Sequence, residues 1–192
     1  MGEHGYVHLF DLASGGNREL PTGYGWCECY IDWHPQRNIL ALSGHSTSSN
    51  KRVQPQGENK IRLWDLKTNQ LLFDLQGPAK GAILCFSPDG TTLAVAHGWL
   101  NRWSSSGPDA DITLWNVKSG KLQHTLQTGE QQVRFLAWSA DSMQLASGGP
   151  FATYVRERKE IVYKRQKMKV SLWNPKSGQL VRMLGRDTEG RN

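Results

Sequence analysis

The sequence holds little of what secretion, membrane insertion or metal chemistry requires. Cysteine is scarce, with Cys27, Cys29 and Cys85 the only three in 192 residues. An odd number in a chain of this size argues against a disulfide framework and for a reducing compartment, so the expected location is cytoplasmic. Cys27 and Cys29 lack the second pair that zinc spacing demands and read as small apolar residues of a strand. No stretch approaches the roughly 20 apolar residues that a membrane helix needs, so no membrane partner is expected. Met1-Gly2-Glu3-His4-Gly5 has neither the basic opening nor the apolar run of a signal peptide, and Tyr6 stands where a myristoylation motif has Ser or Thr.

Catalytic signatures are missing as well. Of His4, His8, His34, His45, His97 and His124 only His4 and His8 stand four apart, and there is no HExxH motif. A GxSxG elbow, a phosphate-binding GxxxxGK[ST] loop and a dinucleotide GxGxxG fingerprint are equally absent from the sequence. Asp89 and Asp141 read as turn formers rather than a carboxylate pair. His97 reads as a structural residue at a strand end. The expectation is a chain with no catalytic residue, no cofactor and no metal.

What the sequence does have is repetition. Tyr6-Val-His-Leu-Phe-Asp-Leu12, Lys60-Ile-Arg-Leu-Trp-Asp-Leu66, Asp111-Ile-Thr-Leu-Trp-Asn-Val117 and Lys169-Val-Ser-Leu-Trp-Asn-Pro175 share one pattern of alternating β-branched and aromatic residues, each ending at a polar turn. Between them run Cys29–Trp33, Ala82–Phe86 and Arg134–Trp138, each leading into a tight turn: His34-Pro35-Gln36-Arg37-Asn38, Ser87-Pro88-Asp89-Gly90 or Ser139-Ala140-Asp141-Ser142. A further strand follows each turn, and seven residues separate Trp33 from Leu40, Phe86 from Leu93 and Trp138 from Leu145. Short strands around 71–75, 122–126 and 180–184 complete four per unit.

The Leu-Trp-Asp/Asn strand ends, the Phe86-Ser-Pro-Asp-Gly90 turn and the Leu-Ala-x-x-Gly strand resemble WD repeats, from about Gly5 to Gly185. The resemblance implies an all-β chain of β-propeller blades, each a sheet of four antiparallel strands. With strands lettered a to d, the chain reads c–d and then a–b–c–d three times. The expected units are a half-blade over 5–22, blades over 27–76, 81–127 and 132–185, and a tail over 186–192. Three full blades and an N-terminal half-blade make an incomplete ring. The apolar end surfaces then require either missing blades, as in a fragment of a longer protein, or self-association. Apolar residues stand side by side at Ile83, Leu84 and Phe86 and at Phe135, Leu136 and Trp138, which predicts sheets buried on both faces. The Gly-His pair common in d–a links of the family is absent from 77–81 and 128–131, which puts its usual blade-rigidifying network in doubt.

The functional reading comes from where the repeats differ. The a–b turns keep a constant length, and all extra length lies in the b–c connections. Antiparallel strands put b–c connections and d–a links at one edge, and insertions on one face of a repeat array mark a binding face. Residues 45–59 are rich in Ser, Asn and Gln. Residues 98–110 carry Trp99, Arg102 and Trp103 in a Gly/Pro/Ser context, and Trp26 lies in a link at the same edge; Trp and Arg are favoured interface anchors. Two readings stand for these Trp residues, contacts for a partner or a local lid. The segment 150–168 carries Arg156, Arg158, Lys159, Lys164, Arg165 and Lys167 against Glu157 and Glu160, most of the net +6 charge. It predicts a protruding β-hairpin, which is a solvated charge-laced element, a contact for an acidic protein or a nucleic-acid contact. The resemblance implies a docking platform. The leading expectation is a non-enzymatic scaffold for a protein or peptide, and the alternatives are the regulatory propeller of a larger enzyme or a nucleic-acid contact through the basic hairpin.

Overall fold

The computed structural model describes residues 6–21, 29–44, 60–76, 83–96, 111–129, 133–151, 154–157, 160–163 and 167–184. All elements among them are β-strands. A first hairpin pairs β1 (Tyr6–Phe10) with β2 (Asn17–Pro21). Three antiparallel sheets follow. The first is β3 (Cys29–Trp33), β4 (Ile39–Gly44), β5 (Lys60–Asp65) and β6 (Gln70–Gln76). The second is β7 (Ile83–Phe86), β8 (Thr92–Ala96), β9 (Asp111–Asn116) and β10 (Leu122–Gln127). The third is β11 (Phe135–Trp138), β12 (Leu145–Phe151), β15 (Lys167–Asn174) and β16 (Gln179–Leu184), with β13 (Tyr154–Glu157) and β14 (Glu160–Tyr163) forming a separate hairpin between β12 and β15. The expected order of c–d and then three times a–b–c–d is present as a half-blade and three blades in an open array.

Local chemistry explains the repeating strand ends. The Asp or Asn after each Trp or Phe closes the c–d turn with its own side chain. Asp11 Oδ1 accepts the Ala13 N–H at 2.8 Å, Asp65 Oδ1 that of Lys67 at 2.8 Å, Asn116 Oδ1 that of Ser119 at 2.9 Å and Asn174 Oδ1 that of Lys176 at 3.0 Å. The a–b turns repeat a different device. Ser87 and Ser139 each donate to the Asp two residues on, at 2.6 Å, and those carboxylates accept backbone N–H groups from Thr91 and Met143. These bonds hold Asp89 and Asp141 below the usual carboxylate range. Both residues are turn formers.

The first and second blades bury both faces, as the side-by-side apolar residues predict, and the third blade packs through one face against the second. In β4, Ile39 and Ala41 join Ile61 and Leu63 in a core shared with Leu84, Phe86, Leu93, Val95, Trp115 and Val117 of the second blade. The alternate residues Leu40 and Leu42 turn the other way and pack with Leu66 and Trp64 against Val7, Leu9 and Leu20 of the half-blade. A third core joins the second and third blades through Ile112, Leu114, Leu126, Leu145 and Trp173. Burying one such Leu stabilises by about 1.5–3 kcal/mol, and in every case the burial is supplied by the neighbouring blade. Trp115 Nε1 donates to Thr113 Oγ1 and Trp173 Nε1 to Ser147 Oγ, both at 2.9 Å, so two blades carry an internal Trp–hydroxyl tie.

Candidate functional site

The register fixes which connections share an edge. Gly44 opposes Cys29 and Lys60 opposes Gln76 at one end of the first blade, while Ile83 opposes Ala96 and Asp111 opposes Gln127 at the same end of the second. All b–c connections and d–a links therefore leave from one edge, and all a–b and c–d turns from the other.

Among the described residues the insert edge is built highest at the third blade. In the first and second blades the b–c ladder ends at Ser43 opposite Ile61 and at Ala96 opposite Ile112. In the third, the equivalent rung is Gly148 opposite Val170, and Gly149–Lys169, Pro150–Met168 and Phe151–Lys167 continue beyond it. At about 3.3 Å per residue those added rungs raise the blade by roughly 10 Å. Strand b thus runs into the segment 150–168 expected to form a hairpin, because the insert goes on pairing with strand c. Beyond these rungs comes the β13–β14 hairpin, in which Arg156 opposes Ile161. Of the residues expected to contact a partner, Arg156 sits in this hairpin and Lys167 at the last rung of the extended ladder. Trp26, Trp99, Arg102, Trp103, Arg158, Lys159, Lys164 and Arg165 lie outside the described residues, as do His97 and residues 45–59.

The turn edge is committed to holding the blades together. His34 occupies the Ser position of the a–b turn, and its Nδ1 accepts the N–H groups of Gln36 and Arg37 at 3.1 and 3.0 Å. That leaves the proton on Nε2, which donates to Gly90 O in the second blade at 3.0 Å. The ring is buried and packs at 5.2 Å against Phe86, and burial pushes its pKa below the usual imidazole range. Ser142 Oγ accepts the Asp89 N–H at 3.0 Å, tying the second turn to the third. Arg18 of the half-blade donates to Leu66 O at 2.7 Å and Asn69 Oδ1 at 3.0 Å in the first blade. His124 of the second blade bonds Lys176 O of the third at 3.1 Å. These crossings escaped the sequence reading. The available signal was the His in a column otherwise filled by Ser87 and Ser139.

On the innermost strands, Asp32 Oδ2 accepts the Phe86 N–H at 2.7 Å and Trp138 Nε1 donates to Cys85 O at 3.1 Å. Burial pushes the Asp32 carboxyl up, while the N–H groups of Phe86 and Trp33 pull it back. Burial, then the Asp32 charge, pushes the Cys85 thiol up to about 11, so at neutral pH it is protonated and a poor nucleophile. These groups align neighbouring blades. Among the described residues no three of His, Cys, Asp and Glu gather as metal ligands, and no helix is long and apolar enough to cross a membrane.

No family model matches the sequence. Curated relatives include the WD repeat-containing protein srw1 of Schizosaccharomyces pombe, 22% identical over 141 residues that cover 73% of this chain and 20% of that protein. Another is Autophagy-related protein 16 of Arabidopsis thaliana, 24% identical over 147 residues that cover 74% of this chain and 24% of that protein. The chain thus spans a fifth to a quarter of these relatives' length. Among solved structures, the Dos1 propeller superposes on 96% of this chain with a TM-score of 0.61 at 11% identity, using 43% of its own chain. Kuenenia stuttgartiensis hydrazine synthase superposes on 94% with a TM-score of 0.62 at 16% identity, again using 43% of its chain. That second neighbour is an enzyme, so the fold by itself does not separate scaffold from catalyst. Four recurrences of one strand signature, sheets of four antiparallel strands and the likeness to solved propellers converge on a chain built of β-propeller blades and distantly similar to WD-repeat proteins.

Proposed function

We propose that the chain is a non-catalytic interaction scaffold that holds a protein or peptide on its insert edge, in the cytoplasm. The contacts in this reading are Trp26, Trp99, Arg102 and Trp103, with Arg156, Arg158, Lys159, Lys164, Arg165 and Lys167 of the basic hairpin region. One observation carries it: every full blade lengthens its b–c connection at the same edge, while the turns of the opposite edge are bound into neighbouring blades. An edge whose turns cross-link the array has little freedom to vary, whereas the insert edge carries loops on a rigid base, the usual arrangement of a binding surface. The protonated Cys85 thiol and the turn-forming roles of Asp89 and Asp141 add nothing catalytic to that base.

Site-specific photo-crosslinking in the source cells tests this reading. A photoreactive residue at Trp103 or Arg165 reports on the insert edge, and one at Thr68 or Ser119 on the turn edge. A discrete protein adduct from the insert-edge positions, lost with Trp99→Ala and Arg102→Ala together and not formed from the turn edge, is the expected result. Adducts of equal yield from both edges, or from the turn edge alone, contradict it.

A further inference from the structure

The a–b turns of consecutive full blades meet at one small seat, and the two seats are filled from opposite sides. Four residues after the strand-a aromatic, the second blade has Gly90 and the third has Ser142. Both are left-handed, with φ of 69° and 60°. The Gly90 N–H donates to Ser87 O at 2.8 Å and the Ser142 N–H to Ser139 O at 2.9 Å, so the turns share one shape. What differs is the residue facing them from the blade before. Against Gly90 lies the buried His34 ring. Against Ser142 lies the turn of Ser87 and Asp89, in which Ser87 holds the position that His34 has in the first blade.

Ring and hydroxyl serve the same backbone donor. In the first blade the N–H two residues after His34, that of Gln36, is accepted by His34 Nδ1 at 3.1 Å. In the second blade the N–H two residues after Ser87, that of Asp89, reaches across to Ser142 Oγ at 3.0 Å. The two groups also exclude one another. At Gly90 an added Cβ would stand 2.6 Å from His34 Nε2, closer than real side chains approach, so the ring leaves no room for a side chain at that position. Ser87 brings no ring to the second seat, and its hydroxyl donates to its own Asp89 at 2.6 Å. Ser142 therefore supplies the filling group from the other side, on a left-handed backbone that otherwise favours glycine.

We propose that this seat is a key for blade order, filled once at each correct junction. His34 with Gly90 fills it once, and so does Ser87 with Ser142. The exchanged pairs do not. His34 against Ser142, as when the third blade docks directly on the first, puts two groups in one place. Ser87 against Gly90, as when the second blade docks on another copy of itself, leaves the seat empty and takes the acceptor from the Asp89 N–H. The apolar cores discriminate less well, because Leu40, Leu93 and Leu145 recur at one buried position of the three blades. Misassembly of like units is a characteristic failure of repeat chains, and a seat that rejects wrong neighbours supplies the discrimination that the cores lack.

Thermal unfolding of the whole chain with single and paired substitutions tests the proposal. Gly90→Ser overfills the first seat and should lower Tm by roughly 5–10 °C. His34→Ser empties it and should lower Tm as well. Together they rebuild the Ser–Ser pair of the second junction in the first, and the double variant should melt above both single ones. Where Gly90→Ser does not fold, the return of a cooperative transition in the double variant is the same result. A double variant that melts at or below either single one overturns the proposal. At the second junction, Ser87→His should lose stability and regain part of it when Ser142→Gly is added; a further fall overturns the proposal too. Refolding separates a key from mere packing. The His34→Ser, Gly90→Ser double variant fills both seats but makes them alike, so after urea unfolding it should recover a smaller fraction of its native transition than wild type does. Equal recovery would leave two well-packed turns and no key.

Discussion

Acid should loosen the first two blades through His34, and the size of the effect follows from the bonds it makes. The ring is neutral because Nδ1 accepts two backbone N–H groups while Nε2–H donates to Gly90 O. A second proton would have to sit on Nδ1, facing two donors. Burial lowers the folded pKa below the ordinary value of 6.5, and the Arg37 charge acts in the same direction. As pH falls, the unfolded chain therefore takes up the proton first. The stability that His34 contributes is complete above about pH 6.5 and is lost as pH drops below it, at up to about 1.4 kcal/mol per pH unit, until the folded ring titrates. Between pH 6.5 and 5.5 the loss is at most about 1 kcal/mol, a ceiling of about 2–4 °C in Tm for a chain of this length. Removing the side chain costs more. His34→Ala deletes the bond to Gly90 O, about 1 kcal/mol, strands two N–H groups and forfeits the packing on Phe86, for roughly 2–4 kcal/mol together. Thermal unfolding followed by circular dichroism from pH 5 to 8 measures both effects, with His34→Gln as the non-titrating reference. Wild-type and His34→Gln curves that run parallel between pH 5 and 7 would refute this account of the buried ring.

The other predictions compare equivalent positions of different blades. Gly15→Ala and Gly120→Ala both put a Cβ on a left-handed residue, at about 1–2 kcal/mol, but Gly120→Ala also collides with the Phe73 ring and should cost about 1–3 kcal/mol more. Equal losses in thermal unfolding of the two variants would mean that the c–d turn does not press on the preceding blade. Trp138→Phe removes the bond to Cys85 O and should lower the urea midpoint by the equivalent of about 1 kcal/mol. Trp33→Phe, in the same column but exposed, should stay within about 0.5 kcal/mol of wild type. A larger loss at Trp33 than at Trp138 would contradict the assignment of the bond.

Most of the fold was legible because its determinants are local. The alternation in Lys60–Asp65 sends Ile61 and Leu63 into one core and Trp64 into another, and the turn that follows is closed by Asp65 itself. All of that lies within a few residues of sequence. The blade crossings were not legible because each joins residues about fifty apart: His34 to Gly90, Asp89 to Ser142 and His124 to Lys176. Finding them requires laying neighbouring repeats in register and asking what faces what. The candidate site was legible as an edge but not as a set of contacts. Repetition locates an insert by the break it makes and says nothing of the insert's own conformation, since Trp99, Arg102 and Trp103 have no counterpart in the other blades to fix their surroundings.

The constant length of the a–b turns has a physical cause in these crossings. Strands a and b of the first and second blades are joined through turns that must place His34 Nε2 on Gly90 O, and those of the second and third through turns that place the Asp89 N–H on Ser142 Oγ. One residue added to such a turn would move its donor or acceptor by about 3.3 Å, beyond hydrogen-bond reach, and would break the tie to the adjacent blade. The b–c connections leave from the opposite edge. In the third blade an insert there lengthened the ladder by three rungs and left the Trp173–Ser147 bond within the blade intact. Length is therefore held constant at the turn edge, where an added residue would break a blade-to-blade bond.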